Sequence, residues 1–144
     1  REFYYVFEEE KYPGVPGVNV QLIDEEPFFI GPTEFKPVTV MHYRMPVLGF
    51  RVGDMAYISD AKTISPENMD KLRGLKVLVL NALRRTTHLS HFTLDEAIAI
   101  AEELKPEMTY LTHLSHLMGC HADVAAELPA GIQVAYDGLC VEVL

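Results

Sequence analysis

Cysteines, basic residues and long apolar runs are what this sequence has least of. Two cysteines, Cys120 and Cys140, stand in 144 residues. They are too few for a disulfide framework and fit a reducing, cytoplasmic compartment. No apolar run approaches the roughly 18–20 residues that span a bilayer, so a membrane is not an expected partner. Lys and Arg number 12 against 21 Asp and Glu, a formal net charge of −9. Phosphate-backbone binders work through clustered Lys and Arg, so nucleic acid is not an expected partner either. Nine glycines and nine prolines exclude collagen-like and low-complexity chains. Several catalytic signatures are missing too: G-x-S-x-G, G-x-G-x-x-G, the Walker P-loop, C-x-x-C and H-E-x-x-H. Without them, what remains is metal-assisted chemistry or no catalysis.

What is present suits a folded domain. Apolar residues make up 49% and charged residues 23%, enough for one sizeable core. Strands are expected at Phe3–Phe7 and Val18–Ile23, separated by a turn-rich loop over 11–17, then at Phe28–Ile30 and Glu34–Met41. Leu48–Val52 and Met55–Ser59 flank Gly53-Asp54, a two-residue hairpin signal. The rhythm then changes. Ser65-Pro66 starts a helix that Gly74 stops. Lys76–Leu80 reads as a strand covered on both faces. Thr93-Leu94-Asp95-Glu96 is a capping box, followed by Ala97, Ile98, Ala101 and Leu104 at helical spacing, with Pro106 ending the element. Met108–Thr112 is a second buried strand and His121–Leu128 a short helix. Gln133–Tyr136 and Leu139–Val143 are expected to pair across Asp137-Gly138. This alternation is an α/β pattern.

The placement of polar residues is more telling than their number. Sheets of this class put ligands at strand ends. One strand runs into His42, one into Asp60 and one into His113; the strand ending near Leu80 leads to Arg84, Arg85 and the His88–His91 loop. Imidazole together with carboxylate favours Zn²⁺, Mn²⁺ or Fe over Ca²⁺ or Mg²⁺. His113 and His116, like His88 and His91, are three residues apart, a spacing that allows one ligand and one supporting partner. Each alone has an ordinary reading: a loop histidine bonded to backbone, a turn aspartate, a solvated arginine. Cys120 reads as a small buried thiol.

The order Met41-His42, Tyr57-Ile58-Ser59-Asp60-Ala61, Leu80-Asn81-Ala82-Leu83-Arg84, His88-Leu89-Ser90-His91, Tyr110-Leu111-Thr112-His113-Leu114-Ser115-His116 and Ala135-Tyr136-Asp137-Gly138-Leu139 resembles the C-terminal half of metallo-β-lactamase-fold hydrolases. The branch it resembles is that of phosphodiesterases related to the cyclic-phosphate hydrolase of phosphonate breakdown, over roughly residues 37–144. The resemblance implies an αββα sandwich, a mixed sheet with flanking helices, and two divalent metals, Zn or Mn. It makes His42 a ligand of the first metal, Asp60 a bridge between both, and His113 a ligand of the second. His91 becomes a substrate-facing catalytic histidine, with His88, His116 and Arg84 supporting it or binding substrate.

The family's H-x-H-x-D-H string, which supplies the other ligands, occurs nowhere in these residues. Together with Arg1 in place of Met, this gives the expectation that residues 1–144 are the C-terminal part of one domain of ~250 residues. The piece alone is then expected to bind metal weakly, to be inactive and to associate with itself. The intact enzyme is expected to act on a small or cyclic phosphodiester. The alternatives are another hydrolase of the same fold (thioesterase, glyoxalase-type or nuclease) and a non-catalytic α/β interaction domain.

Overall fold

Alternation of β-branched and aromatic residues with small or polar ones builds the first half of the sheet. In the computed structural model, which describes residues 4–8 and 13–143, β1 (Phe28–Ile30), β2 (Thr33–His42), β3 (Met45–Val52) and β4 (Met55–Ile58) form an antiparallel meander. Gly53 turns β3 into β4 with φ 55°. Gly49 of β3 lies so close to β4 that a side chain there would meet the Tyr57 carbonyl at 2.9 Å. A short strand β5 (Thr63–Ile64), absent from the sequence reading, pairs with β2.

The second half is parallel. β6 (Val77–Asn81), β7 (Met108–Thr112) and β8 (Ile132–Val134) extend the sheet from β4 in the order β1-β2-β3-β4-β6-β7-β8. The crossovers carry α1 (Pro66–Lys71), α2 (Leu94–Leu104) and α3 (His121–Glu127). Ser65 caps α1 through its side chain, with Pro66 behind it, and Thr93 and Glu96 complete the capping box of α2. Strand register sorts the residues onto two faces. Ala56, Ile58, Leu78, Leu80, Leu111, Ile132 and Val134 are buried in a single core with Leu72, Leu94, Ala97, Ala101 and Leu104. The opposite face carries Phe28, Phe35 and Phe50, whose ring centroids lie 5.5–6.2 Å apart, and half-exposed residues such as Tyr57 and Val79.

Four expectations need correction. Tyr4–Val6 is a 3₁₀ turn rather than a strand; Phe3, Lys11 and Tyr12 lie outside the described residues. Residues 18–23 are irregular and exposed, because no neighbouring strand satisfies their backbone. Residues 139–143 form no hairpin with β8. The Asp137-Gly138 turn does form, and Leu139 N–H donates to the Tyr136 carbonyl at 3.1 Å. The segment beyond it lies on the open sheet face, where Leu139 and Val141 line a cavity of about 280 Å³ with Tyr57 and Tyr110. β6 is therefore covered fully on one face only, and Val79 is half-buried.

Candidate metal centre

β3 runs against both β2 and β4, so β2 points the same way as β4, β6 and β7. Their four C-terminal ends share one edge, and the histidines converge there. The donor atoms of His42, Asp60 and His91 all lie within 4.8 Å of one another. His91 Nε2 is 3.1 Å and His113 Nε2 3.4 Å from the same oxygen, Asp60 Oδ1. The His91 ring lies 4.7 Å from that of His42, 4.8 Å from that of His113 and 5.0 Å from that of His88, centroid to centroid. Because a carboxylate only accepts, His91 donates from Nε2. Its Nδ1 side faces the Ser90 hydroxyl at 3.0 Å and His88 Nδ1 at 3.1 Å.

Two of these residues sit in strained backbone. Asp60 has φ 54° and His113 φ 60°, the left-handed region that L side chains avoid, at a cost of order 1–3 kcal/mol each. Each follows a buried strand, and the sharp bend there turns the side chain towards the shared sheet edge, where the Asp60 and His113 side chains meet at 3.4 Å. Asn81 holds the first bend. It is fully buried; its amide donates to the Ala61 carbonyl and accepts from the Ala61 N–H, both at 3.0 Å. The Phe92 N–H donates to the same carbonyl at 2.9 Å, and the Lys62 N–H donates to the Met41 carbonyl at 2.7 Å. The Asp60 segment is thereby tied to the residue after His91 and the residue before His42. Ala82 donates to the Thr112 carbonyl and Ser115 to the Leu83 carbonyl, each at 2.9 Å, which fixes the His113 bend against the loop carrying His88.

The hydrogen bond from His91 is the main influence on Asp60 and holds its carboxyl below the usual aspartate range. Burial opposes this, while the His113 charge and the Ser59 hydroxyl add to it. His88 is pushed below the usual histidine range, first by burial and then by positive charge on His91 and Arg84. A carboxylate kept ionised and imidazoles sharing it suit a divalent cation, and the donor types are those of Zn²⁺ and Mn²⁺ sites.

His42, Asp60, His88, His91 and His113 are therefore brought together. His116 is not: it is exposed on the turn after β7, and among the described residues it contacts none of the cluster. Arg84 donates to the Thr86 and Thr87 carbonyls at 3.1 and 2.6 Å, closing the loop that carries His88 rather than reaching the cluster. Cys120 is exposed at the start of α3, because His121–Glu127 buries only Val124. Asn81 and Lys62 were not singled out in the sequence. A lone amide ending the run Val77-Leu78-Val79-Leu80 was the available signal, since a buried amide must find partners.

The model of the β-lactamase superfamily domain matches residues 1–114. The chain belongs to that family. A diphosphatase from the PhnP family superposes on it with a TM-score of 0.86 and 41% identity, covering 89% of this chain and 50% of that one. The metallo-β-lactamase-fold protein YhfI from Bacillus subtilis gives a TM-score of 0.69 at 20% identity, over 96% of this chain and 59% of that one, which is a likeness of fold. An octanoyltransferase of Porphyromonas gingivalis is 35% identical over 138 residues, which are 94% of this chain and 28% of that protein. The superfamily member described here thus spans half the length of the diphosphatase and little more than a quarter of the octanoyltransferase. The metallo-β-lactamase fold and the likeness to PhnP-type hydrolases read from the motif order both hold. Among the described residues, no helix is long and apolar enough to cross a membrane.

Proposed function

We propose that this chain carries the C-terminal share of a divalent-metal phosphodiesterase site for a small or cyclic phosphodiester. The observation that supports this most directly is the shared carboxylate: Asp60 Oδ1 faces both His91 and His113, with His42 alongside. Similarity to a diphosphatase at 41% identity favours phosphorus chemistry over the thioesterase and glyoxalase alternatives. The octanoyltransferase name belongs to a protein of which the match covers 28%. Among the described residues no cysteine joins the group of His42, Asp60 and His91.

In this reading His42, Asp60 and His113 would hold two ions, Zn²⁺ or Mn²⁺, with Asp60 a donor to both. Bound divalent metal supplies Lewis acidity and lowers the pKa of water towards neutrality. His42 and Asp60 would be two donors for one ion, Asp60 and His113 two for the other. Catalytic sites usually take at least three from protein, so the remaining donors come from outside these 144 residues, and the piece alone binds metal weakly. His91 is the residue that moves a proton, holding one at Nε2 where a leaving oxygen would depart. Ser90 and His88 orient its ring from the Nδ1 side.

The test uses the full natural chain, metal-loaded, with bis(p-nitrophenyl) phosphate. His113→Ala is expected to lose metal and activity together. His91→Ala is expected to keep metal while losing about 10²–10⁴-fold in kcat. Full metal content and full hydrolysis in His113→Ala would overturn the ligand assignment. Loss of metal in His91→Ala would make His91 a ligand instead.

A further inference from the structure

Beside His42 the sheet edge carries a shallow, solvent-open depression lined by Tyr43, Arg44, Met45, Pro46, Leu89 and Ser90 as well as His42. Its walls are unusually apolar for a place so open. Tyr43 is 47%, Met45 55% and Leu89 65% exposed. One cation stands among them. Arg44 holds its guanidinium carbon 5.1 Å from the centroid of the Tyr43 ring, and among the described residues it has no carboxylate partner and no hydrogen bond. Five of the other basic side chains are paired with carboxylates: Lys36, Lys62, Arg73, Lys76 and Arg85. In a chain of net charge −9, an unpaired guanidinium beside the candidate metal centre is free to pair with an anion.

The turn itself is built to present these two residues. His42 and Met45 pair across it, leaving Tyr43 and Arg44 as the two loop residues. Tyr43 has φ 59°, so a tyrosine occupies a left-handed loop position of the kind that hairpins usually give to glycine or asparagine. One face of the Tyr43 ring lies under the guanidinium.

We propose that the Tyr43–Arg44 turn recognises the nucleoside 5′-phosphoryl part of the substrate, the base stacking on Tyr43 and Leu89 and the phosphoryl group pairing with Arg44. A planar base and a phosphate together are what an aromatic ring beside an unpaired guanidinium binds best. The inference rests on the phosphodiesterase reading above and narrows its substrate class.

Two readouts test it in the metal-loaded full natural chain. The first is the ratio of kcat/KM for thymidine 5′-(p-nitrophenyl phosphate) over methyl p-nitrophenyl phosphate, which share a leaving group. The ratio is expected to favour the nucleoside ester and to fall about tenfold in Tyr43→Gly, a variant that also relieves the strained φ and so keeps the turn. Arg44→Met is expected to lower kcat/KM about tenfold for both esters, because both carry the phosphoryl group, and so to leave the ratio in place. The second readout is calorimetric binding of AMP against ribose 5-phosphate, with AMP binding the tighter and Tyr43→Gly removing the difference. An unchanged ratio and an unchanged AMP preference in Tyr43→Gly, or undiminished kcat/KM for both esters in Arg44→Met, would overturn the proposal. Hydrolysis of neither ester by the unaltered protein would sink the phosphodiesterase reading alone. Recognition would then be judged by AMP: a preference lost in Tyr43→Gly upholds it, and no preference overturns it.

Discussion

Asn81 carries more of the site than its position at the end of a valine and leucine strand suggests. Its amide closes a two-point clamp on Ala61, and without it the bend at Asp60 loses its only buried side-chain support among the described residues. Asn81→Ala leaves the Ala61 N–H without that acceptor and is expected to cost about 2–4 kcal/mol, read from urea midpoints. The variant should also lose metal affinity although Asn81 touches no candidate donor. Gly49 is a second such position. A Cβ there would lie 2.9 Å from the Tyr57 carbonyl and closer still to Ile58 Cδ1. The carbonyl belongs to β4 and cannot retreat without breaking the ladder. Gly49→Ala should therefore destabilise by about 1–3 kcal/mol and lower Tm. Thr109 runs the other way. Its hydroxyl is buried on β7 with no hydrogen-bond partner among the described residues, so Thr109→Val should stabilise by about 1 kcal/mol, read as a higher urea midpoint.

At the scale of elements, α2 is secured at its start by charge as well as by its cap. Burial pushes the Glu96 carboxyl up, but the Lys62 ammonium at 2.7 Å and the Thr93 N–H outweigh it, and the group lies below the usual glutamate range. A depressed carboxyl contributes stability that is fully present above its unfolded value, ~4.3, and is lost as pH falls through the lower folded value. The parent should thus be more stable than Glu96→Gln at pH 7, with the gap closing below about pH 4; denaturation series at several pH values check it, and a gap that stays constant would refute it. This helix was fully legible in the sequence, because the capping box, the apolar spacing and Pro106 are all local signals. So were β4, β6 and β7 and the strand-end positions of His42, Asp60 and His113. Residues 18–23 and 139–143 were misread for one reason: their alternating apolar pattern is real, but a strand exists only beside another strand. β5, two residues long, carries no pattern at all. The convergence of His88 with His42 depends on the left-handed bends at Asp60 and His113 and on the Asn81 clamp, which no spacing rule encodes.

At the scale of the molecule, the sheet is finished on one face and open on the other. The helices and core residues cover Ile58, Leu78, Leu80 and Leu111 completely. On the far side Tyr57, Tyr136 and Val141 are 47%, 60% and 39% exposed around a shallow cavity that also meets Val79 and Tyr110. Elsewhere the irregular 18–23 segment exposes Val20 and Leu22, 64% and 91%. Apolar area of this kind is worth ~25 cal/mol per Å² when removed from water, and contiguous exposed patches drive association. β8 at one end of the sheet presents an unpaired edge among the described residues, which can template a further strand. The 144-residue chain on its own is therefore expected to run as a dimer or larger species in size-exclusion chromatography with light scattering. Tyr57→Lys places a charge in the middle of the open face, with little packing to lose, and should shift that distribution towards monomer. A parent chain that is monomeric at tens of micromolar would show instead that the 139–143 segment covers the face well enough by itself.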